Sequence, residues 1–193
     1  GQKILIHAGA GGVGTFAIQL AKHLGAYVAT TTSESNTELV KSLGADEVIN
    51  YRSDRFEQKL SGYDAVFDAV GGDTLDRSFQ IVKPGGMVAS LSGMPDKRFA
   101  VQANLGWVKG LLFSLLSGKL TRRAKAHQVE YRYCFMEPNG DQLSAIAGLI
   151  EQGTIKPVVD RIYDFSEAQS AIEYMEKGRA RGKVIISLKE ILA

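Results

Sequence analysis

The chain has 193 residues, 45% of them hydrophobic and 23% charged, the composition of a soluble globular protein with one core and room for a small appendage. A net charge of +2 offers no bulk attraction to nucleic acid, and the single Cys134, read as a small buried apolar residue, excludes an internal disulfide or a cysteine-cluster metal site. The longest apolar run, Leu111 to Leu116, is far below the ~20 residues of a membrane span, and the chain opens directly on a strand pattern, so a cytoplasmic protein without membrane association is expected.

Lys3 to Ala8 reads as a first strand with little alternation, as suits a strand covered on both faces. The stretch Gly9-Ala10-Gly11-Gly12-Val13-Gly14 turns it into a helix carried by Val13, Ala17, Leu20 and Leu24, with Gly25 at the C-terminal end. Tyr27 to Thr31 is a second strand, a helix through Leu39, Val40 and Leu43 stops at Gly44, and Glu47 to Asn50 is a third strand. A polar helical stretch, Arg55 to Leu60, leads to Ala65-Val66-Phe67, a fourth strand ending at Asp68. Gly71-Gly72 precede another helix, and Pro84-Gly85-Gly86 turn into a fifth strand, Met87 to Leu91. Strands alternating with helices at this spacing mean βαβ units, right-handed crossovers and a parallel sheet.

Residues 97–129 differ in kind, with seven Lys or Arg and no Asp or Glu. Leu105, Val108, Leu112, Leu115 and Leu116 recur at helical spacing. A membrane-surface helix or a patch for an anionic partner such as RNA is the sharper reading. The plainer one, which partial patterning favours, is a helix that packs on the domain or lids a cleft, with its lysines in water.

A β-rich stretch resumes at Val129 and includes Tyr131, Tyr133, Cys134, Phe135 and Met136. Asn139 is placed to cap a helix from Asp141 to Gln152. Val158 to Tyr163 reads as a strand, Ser166-Glu167-Ala168-Gln169 as a capping box opening a helix that Gly178 ends, and Lys183 to Ser187 as a last strand. The fold class is therefore α/β: a doubly wound parallel sheet of about six strands over residues 1–153, with a strand–helix–strand return segment over residues 154–193.

The chemistry concentrates at the glycine stretch. Strand, glycine turn, helix is the order a phosphate cradle requires, because glycine permits close backbone approach and the first helical turn offers free N–H groups and a positive dipole end. A nicotinamide dinucleotide is the ligand this context implies. The acid that holds the ribose 2′-hydroxyl in an NAD site belongs about twenty positions past the glycines. Here Thr30-Thr31-Thr32-Ser33 stand in its place, which favours NADP, although no Lys or Arg lies between Thr30 and Asn36 and Glu34 is near. Tyr51 and Arg52 are the nearest candidates to help. The ligand is expected across the carboxyl ends of the strands, against the turns Ala69-Val70-Gly71 and Leu91-Ser92-Gly93, with backbone groups of Phe135 and Met136 at the nicotinamide amide.

No Tyr is followed four residues later by Lys, no GxSxG occurs, and His7, His23 and His127 are scattered, His7 reading as packed within its strand. Catalytic and metal-ligating residues are accordingly not assigned.

The segments from Ala8 to Gly14 and from Ala17 to Lys22, together with Leu43-Gly44-Ala45-Asp46, Val48-Ile49-Asn50-Tyr51, Phe67-Asp68-Ala69-Val70-Gly71 and Gly178-Arg179-Ala180-Arg181-Gly182-Lys183, resemble the medium-chain dehydrogenase/reductase superfamily. Within it they resemble the quinone oxidoreductase (zeta-crystallin-like) branch, across essentially the whole chain. The resemblance implies a Rossmann-type cofactor domain and zinc-independent reduction by NADPH of quinones or of carbon–carbon double bonds beside a carbonyl. It implies that Ala10, Gly12 and Val13 hold the pyrophosphate, that Ser33 and Tyr51 meet the 2′-phosphate end, and that Phe135 and Met136 meet the nicotinamide; Gly11, Thr32, Val70, Leu91, Ser92 and Gly93, from the glycine turn and the strand ends, complete the expected cofactor site. Lys183 would lie near the phosphates. It also implies a GroES-like domain N-terminal to Gly1, which residues 154–193 would contact, and a homodimer joined through the edge strand Val129 to Met136. The rival readings are the cofactor domain of a zinc alcohol dehydrogenase and a non-catalytic NADP-binding sensor or structural protein.

Overall fold

A computed structural model describes residues 1–188, so the end of the 154–193 segment lies outside the described residues. Lys3–Ile6 (β1), Tyr27–Thr32 (β2), Glu47–Asn50 (β3), Tyr63–Asp68 (β4), Val82–Ser90 (β5) and Glu130–Tyr133 (β6) form one parallel sheet in the order β3-β2-β1-β4-β5-β6. Strand order reverses between β1 and β4, which opens a crevice at the carboxyl ends of those two strands. The crossovers carry Gly14–His23 (α1), Thr37–Ser42 (α2), Phe56–Lys59 (α3) and Gly72–Ser78 (α4).

Core packing explains the unalternating strands. Leu5, Ala29 and Val66 join a cluster on one face with Phe56, Leu75 and Phe79, whereas Ile6 and Val28 join Ile18, Ala21 and Val40 on the other. Both faces are apolar because both are covered by helices.

Several boundaries move. β1 stops at Ile6 because Ala8 adopts a left-handed conformation (φ 55°) and bends the chain into the glycine turn. β5 starts at Val82, so Pro84-Gly85-Gly86 lie inside it, and a register shift between Tyr63 and Ala65 absorbs the irregularity. β6 ends at Tyr133, leaving Phe135 and Met136 beyond the strand.

Between β5 and β6 the basic stretch folds as Lys97–Gln102 (α5), Gly106–Leu116 (α6) and Gly118–Ala126 (α7). On α7, Leu120 and Ala124 pack on the core, and Lys119 and Arg123 reach Asp76 of α4 at 3.6 and 3.2 Å. α6 turns Gly110 and the half-buried Phe113 toward α5, where the Phe113 ring lies 6.0 Å from that of Phe99.

Gly140–Glu151 (α8), capped by Asn139 Oδ1 on the Gln142 N–H at 2.9 Å, leads to Val159–Asp164 (β7), Ala168–Glu176 (α9) and Lys183–Ser187 (β8). β7 and β8 pair in parallel as a separate small sheet. The capping box belongs to Asp164 and Glu167 rather than Ser166 and Gln169, because a 3-10 turn, Phe165–Glu167, precedes α9. Gln19 of α1 clamps this segment: its amide donates to Lys156 O at 3.0 Å and accepts from Lys156 N at 2.8 Å.

Candidate cofactor site

A cleft of about 640 Å³ opens at the carboxyl ends of β1, β2 and β3. Of the residues expected from sequence, Ala10, Gly11, Thr32, Ser33, Tyr51 and Val70 line it together. Gly12 and Val13 continue the same turn into α1, and Val13 stands at the N-cap without a side-chain cap hydrogen bond. Thr15 and Phe16 spend their N–H groups on Gly11 O and Val13 O at 3.0 and 3.1 Å, whereas those of Gly12, Val13 and Gly14 have no partner among the described residues and face an incoming anion. A Cβ on Gly14 would sit 2.7 Å from Gly9 Cα, so only glycine lets strand and helix approach this closely. A Cβ on Gly12 would lie 3.3 Å from Lys183 Nζ, which places that ammonium beside the turn. Gly182 N donates to Ala10 O at 2.9 Å, pinning the Gly178–Lys183 loop across the turn.

The outer rim is built from hydroxyls and amides. Ser33 Oγ lies 3.1 Å from Ser35 Oγ and accepts from Asn36 Nδ2 at 3.2 Å. Asn36 Oδ1 is buried and has no hydrogen-bond partner among the described residues, an open acceptor suited to a ribose hydroxyl. The Arg52 guanidinium lies 5.8 Å from the Tyr51 ring centroid. Glu34 is exposed and is not among the lining residues, and the cleft's carboxylate, Asp54, is held by Lys59 at 2.8 Å.

Sequence reasoning missed much of the wall. Arg179 and Arg181 arrive from the C-terminal segment, and Arg77 from α4. The only signal for the first two was their place in the Gly178–Lys183 motif. Arg77 and Arg55 both pair with Glu57, at 3.1 and 2.9 Å, whereas Arg52 and Arg179 make no ion pair among the described residues.

His7 forms part of the floor and is buried. Ser78 Oγ donates its one hydrogen to Thr74 O at 2.8 Å, so it accepts from His7 Nε2 at 3.0 Å. His7 Nδ1 then accepts the Thr31 hydroxyl at 3.0 Å, and Thr31 Oγ1 accepts the Ala8 N–H at 3.2 Å. This chain of bonds requires a neutral imidazole and holds Ala8 in its left-handed turn. Burial pulls the His7 imidazole down to about 4, with the Asp68 charge acting upward and Arg77 downward.

Leu91, Ser92, Gly93, Phe135, Met136 and Lys183 are not among the residues lining this cleft. The first three follow β5 and abut the turn after β4, where a Cβ on Gly71 (φ 78°) would lie 2.8 Å from Ser92 O. Phe135 and Met136 follow β6 and are exposed, with the Phe135 ring 5.3 Å from that of Phe99. They lie after the next strands of the sheet, β5 and β6. Neither α5, α6 nor α7 lids the cleft, since no residue of 97–129 lines it.

A doubly wound sheet with a glycine turn, an uncapped helix N-terminus and a crevice at the strand reversal defines a dinucleotide-binding domain. The chain belongs to the zinc-binding dehydrogenase family, whose model matches residues 43–186, and is a cofactor-binding domain of the medium-chain dehydrogenase/reductase superfamily, quinone oxidoreductase-like. It is 32% identical over 193 residues to the zebrafish (Danio rerio) protein "NAD(P)H oxidoreductase RTN4IP1, mitochondrial", covering 98% of this chain and 50% of that one. It is 36% identical to "NADPH-dependent alkenal/one oxidoreductase, chloroplastic" of Arabidopsis thaliana, covering 96% and 40%. The quinone oxidoreductase structure from Coxiella burnetii superposes with a TM-score of 0.80 at 33% identity, covering 96% and 52%. The chain thus spans about half the length of these relatives. The expectation of a cytoplasmic protein is corrected by the zebrafish and Arabidopsis relatives, which are named as mitochondrial and chloroplastic. It rested on the lack of a leader before the first strand, and a chain half as long as its relatives says nothing about a leader.

Proposed function

We propose that this chain is the NADPH-holding part of an oxidoreductase that delivers hydride to a quinone or to the C=C bond of an α,β-unsaturated carbonyl, without catalytic zinc. The observation that carries the reading is the rim: Ser33, Asn36, Tyr51 and Arg52 surround the end of β2, and Thr32 stands where an NAD-selective site places an acid. Ala10, Gly12 and Val13 take the pyrophosphate on backbone N–H groups, Gly11 shapes the turn through its own N–H on Ala8 O at 3.0 Å, and Lys183 stands alongside. Thr32, Ser33 and Tyr51 receive the 2′-phosphate end, and positive charge comes from Arg52, the candidate read from sequence, and from Arg179, which the sequence did not place beside β2. Val70, Leu91, Ser92, Gly93, Phe135 and Met136 carry the remainder of the cofactor along the ends of β4, β5 and β6. When bound, NADPH supplies the hydride. The quinone and enone substrate classes are supported by the names of the relatives.

Residues 154–193 meet a GroES-like catalytic domain, a role supported by the apolar groups this segment leaves in solvent, among them Ile162, Ile172 and Ile185. β6, the sheet's edge strand, joins two copies in a homodimer, as an open strand edge is a pairing template. Without the catalytic domain the chain binds NADPH and turns over little. The test is calorimetric titration with NADPH and NADH side by side, followed by hydride-transfer assays on quinones and enals with a metal chelator present. Equal affinity for the two coenzymes, or full activity of the isolated chain, would overturn this reading.

A further inference from the structure

We propose that the exposed face of α6 seats this protein on anionic lipid bilayers. On α6, Trp107, Leu111 and Leu115 form one row at i, i+4 and i+8, and Val108, Leu112 and Leu116 form the adjoining row. All six are exposed, Trp107 to 81%, while the opposite side carries the buried Gly110 and the half-buried Phe113. This is one continuous apolar face, and large contiguous patches of that kind mark contact surfaces.

Charge identifies the occupant. The three helices lie within residues 97–129, which hold seven Lys or Arg and no Asp or Glu. Arg98 is neutralised by Glu130, and Lys119 and Arg123 by Asp76. Lys97, Lys109, Arg122 and Lys125 make no ion pair among the described residues. Lys109 borders the Val108–Leu112–Leu116 row by helical geometry. A surface that takes up large apolar side chains while offering negative charge around them is an anionic lipid interface. A second copy fits poorly, because α6 carries no acid to pair with the Lys109 that its equal would bring to the contact. No helix among the described residues is long and apolar enough to cross a membrane, so α6 lies in the interface plane.

The sequence contains one tryptophan, Trp107, which is therefore its own probe. Purified protein is mixed with phosphatidylcholine vesicles, with vesicles also containing phosphatidylglycerol, and with polyglutamate. Trp107 emission is expected to shift to the blue and become shielded from iodide only with the anionic vesicles, and to revert as salt rises. The variant L111E/L115E is expected to lose at least about tenfold in vesicle partitioning while keeping its NADPH affinity. K109Q and K125Q, which leave the apolar face intact, are expected to lose about fivefold each. The proposal falls if neutral vesicles or polyglutamate produce the same shift, or if L111E/L115E partitions unchanged. It falls equally if Trp107 is already shielded without vesicles, by the rest of a longer chain or by a second copy that L111E/L115E dissociates in sedimentation.

Discussion

The Ser90 hydroxyl donates to the Asp68 carboxylate at 2.6 Å and so ties together the carboxyl ends of neighbouring strands β4 and β5. The same carboxylate accepts the Val70 and Gly71 N–H groups at 3.1 Å, which shapes the turn after β4. Asp68 is fully buried, and these four bonds from neutral donors are what hold it there. Asp68→Asn replaces one acceptor oxygen by an N–H₂ aimed at existing donors. The expected loss is about 2 kcal/mol or more of stability, read by denaturant unfolding, because buried donors are left unpaired. Weaker NADPH binding should accompany it, since the turns after both strands lose their common anchor.

His7 makes stability pH-dependent in one direction. Its folded pKa of about 4 lies below the ordinary value of 6.5, so between these values the unfolded chain binds a proton that the folded chain refuses. Stability contributed by neutral His7 is complete above pH 6.5, falls as pH drops through the window, and levels off below 4. The slope is about 1.4 kcal/mol per pH unit and the total about 3 kcal/mol. Denaturant unfolding measured across pH 4 to 7 should show this slope, and His7→Gln should flatten it.

What could be read from sequence is what local chemistry decides. Glycine at Gly25 and Gly44, the Asn139 cap and the apolar runs of β3 and β8 placed their elements well, and the order of strands and helices implied the sheet. Six cleft residues could also be named in advance, Ala10 and Gly11 because a phosphate turn advertises itself in backbone requirements, and Thr32, Ser33, Tyr51 and Val70 from their places at strand ends. The rest depends on neighbours distant along the chain. Arg179 reaches the rim that β2 begins, though it comes from the far C-terminal segment, and the His7 relay joins residues up to 71 positions apart. Periodicity likewise marked one apolar face in residues 97–129 without revealing that the fold leaves it uncovered.

Coenzyme choice should respond to the rim. Ser33→Asp restores a carboxylate near the end of β2, where it would repel a 2′-phosphate and accept a bond from a 2′-hydroxyl. NADPH affinity should fall by about tenfold or more, with NADH unchanged or improved, in paired calorimetric titrations. Loss of both affinities together would point instead to a disturbed fold.

Gln19 tests how the C-terminal segment serves the phosphate turn. Its amide is the two-point clamp on Lys156, and beyond that clamp the chain returns through β7 and α9 to set Gly182 N on Ala10 O at 2.9 Å. Gln19→Leu removes both clamp bonds while keeping a side chain of similar size. The Lys156 N–H and C=O are then left without partners, at a cost of about 1–3 kcal/mol. Hydrogen exchange at the Lys156 amide should accelerate at least about tenfold if the segment lifts locally, whereas the amides of β1 and β4 should keep their protection. NADPH affinity should weaken in parallel, because the same lifting carries Lys183 away from Gly12. Faster exchange with unchanged affinity would separate the clamp from the cofactor site and assign Gln19 to packing alone.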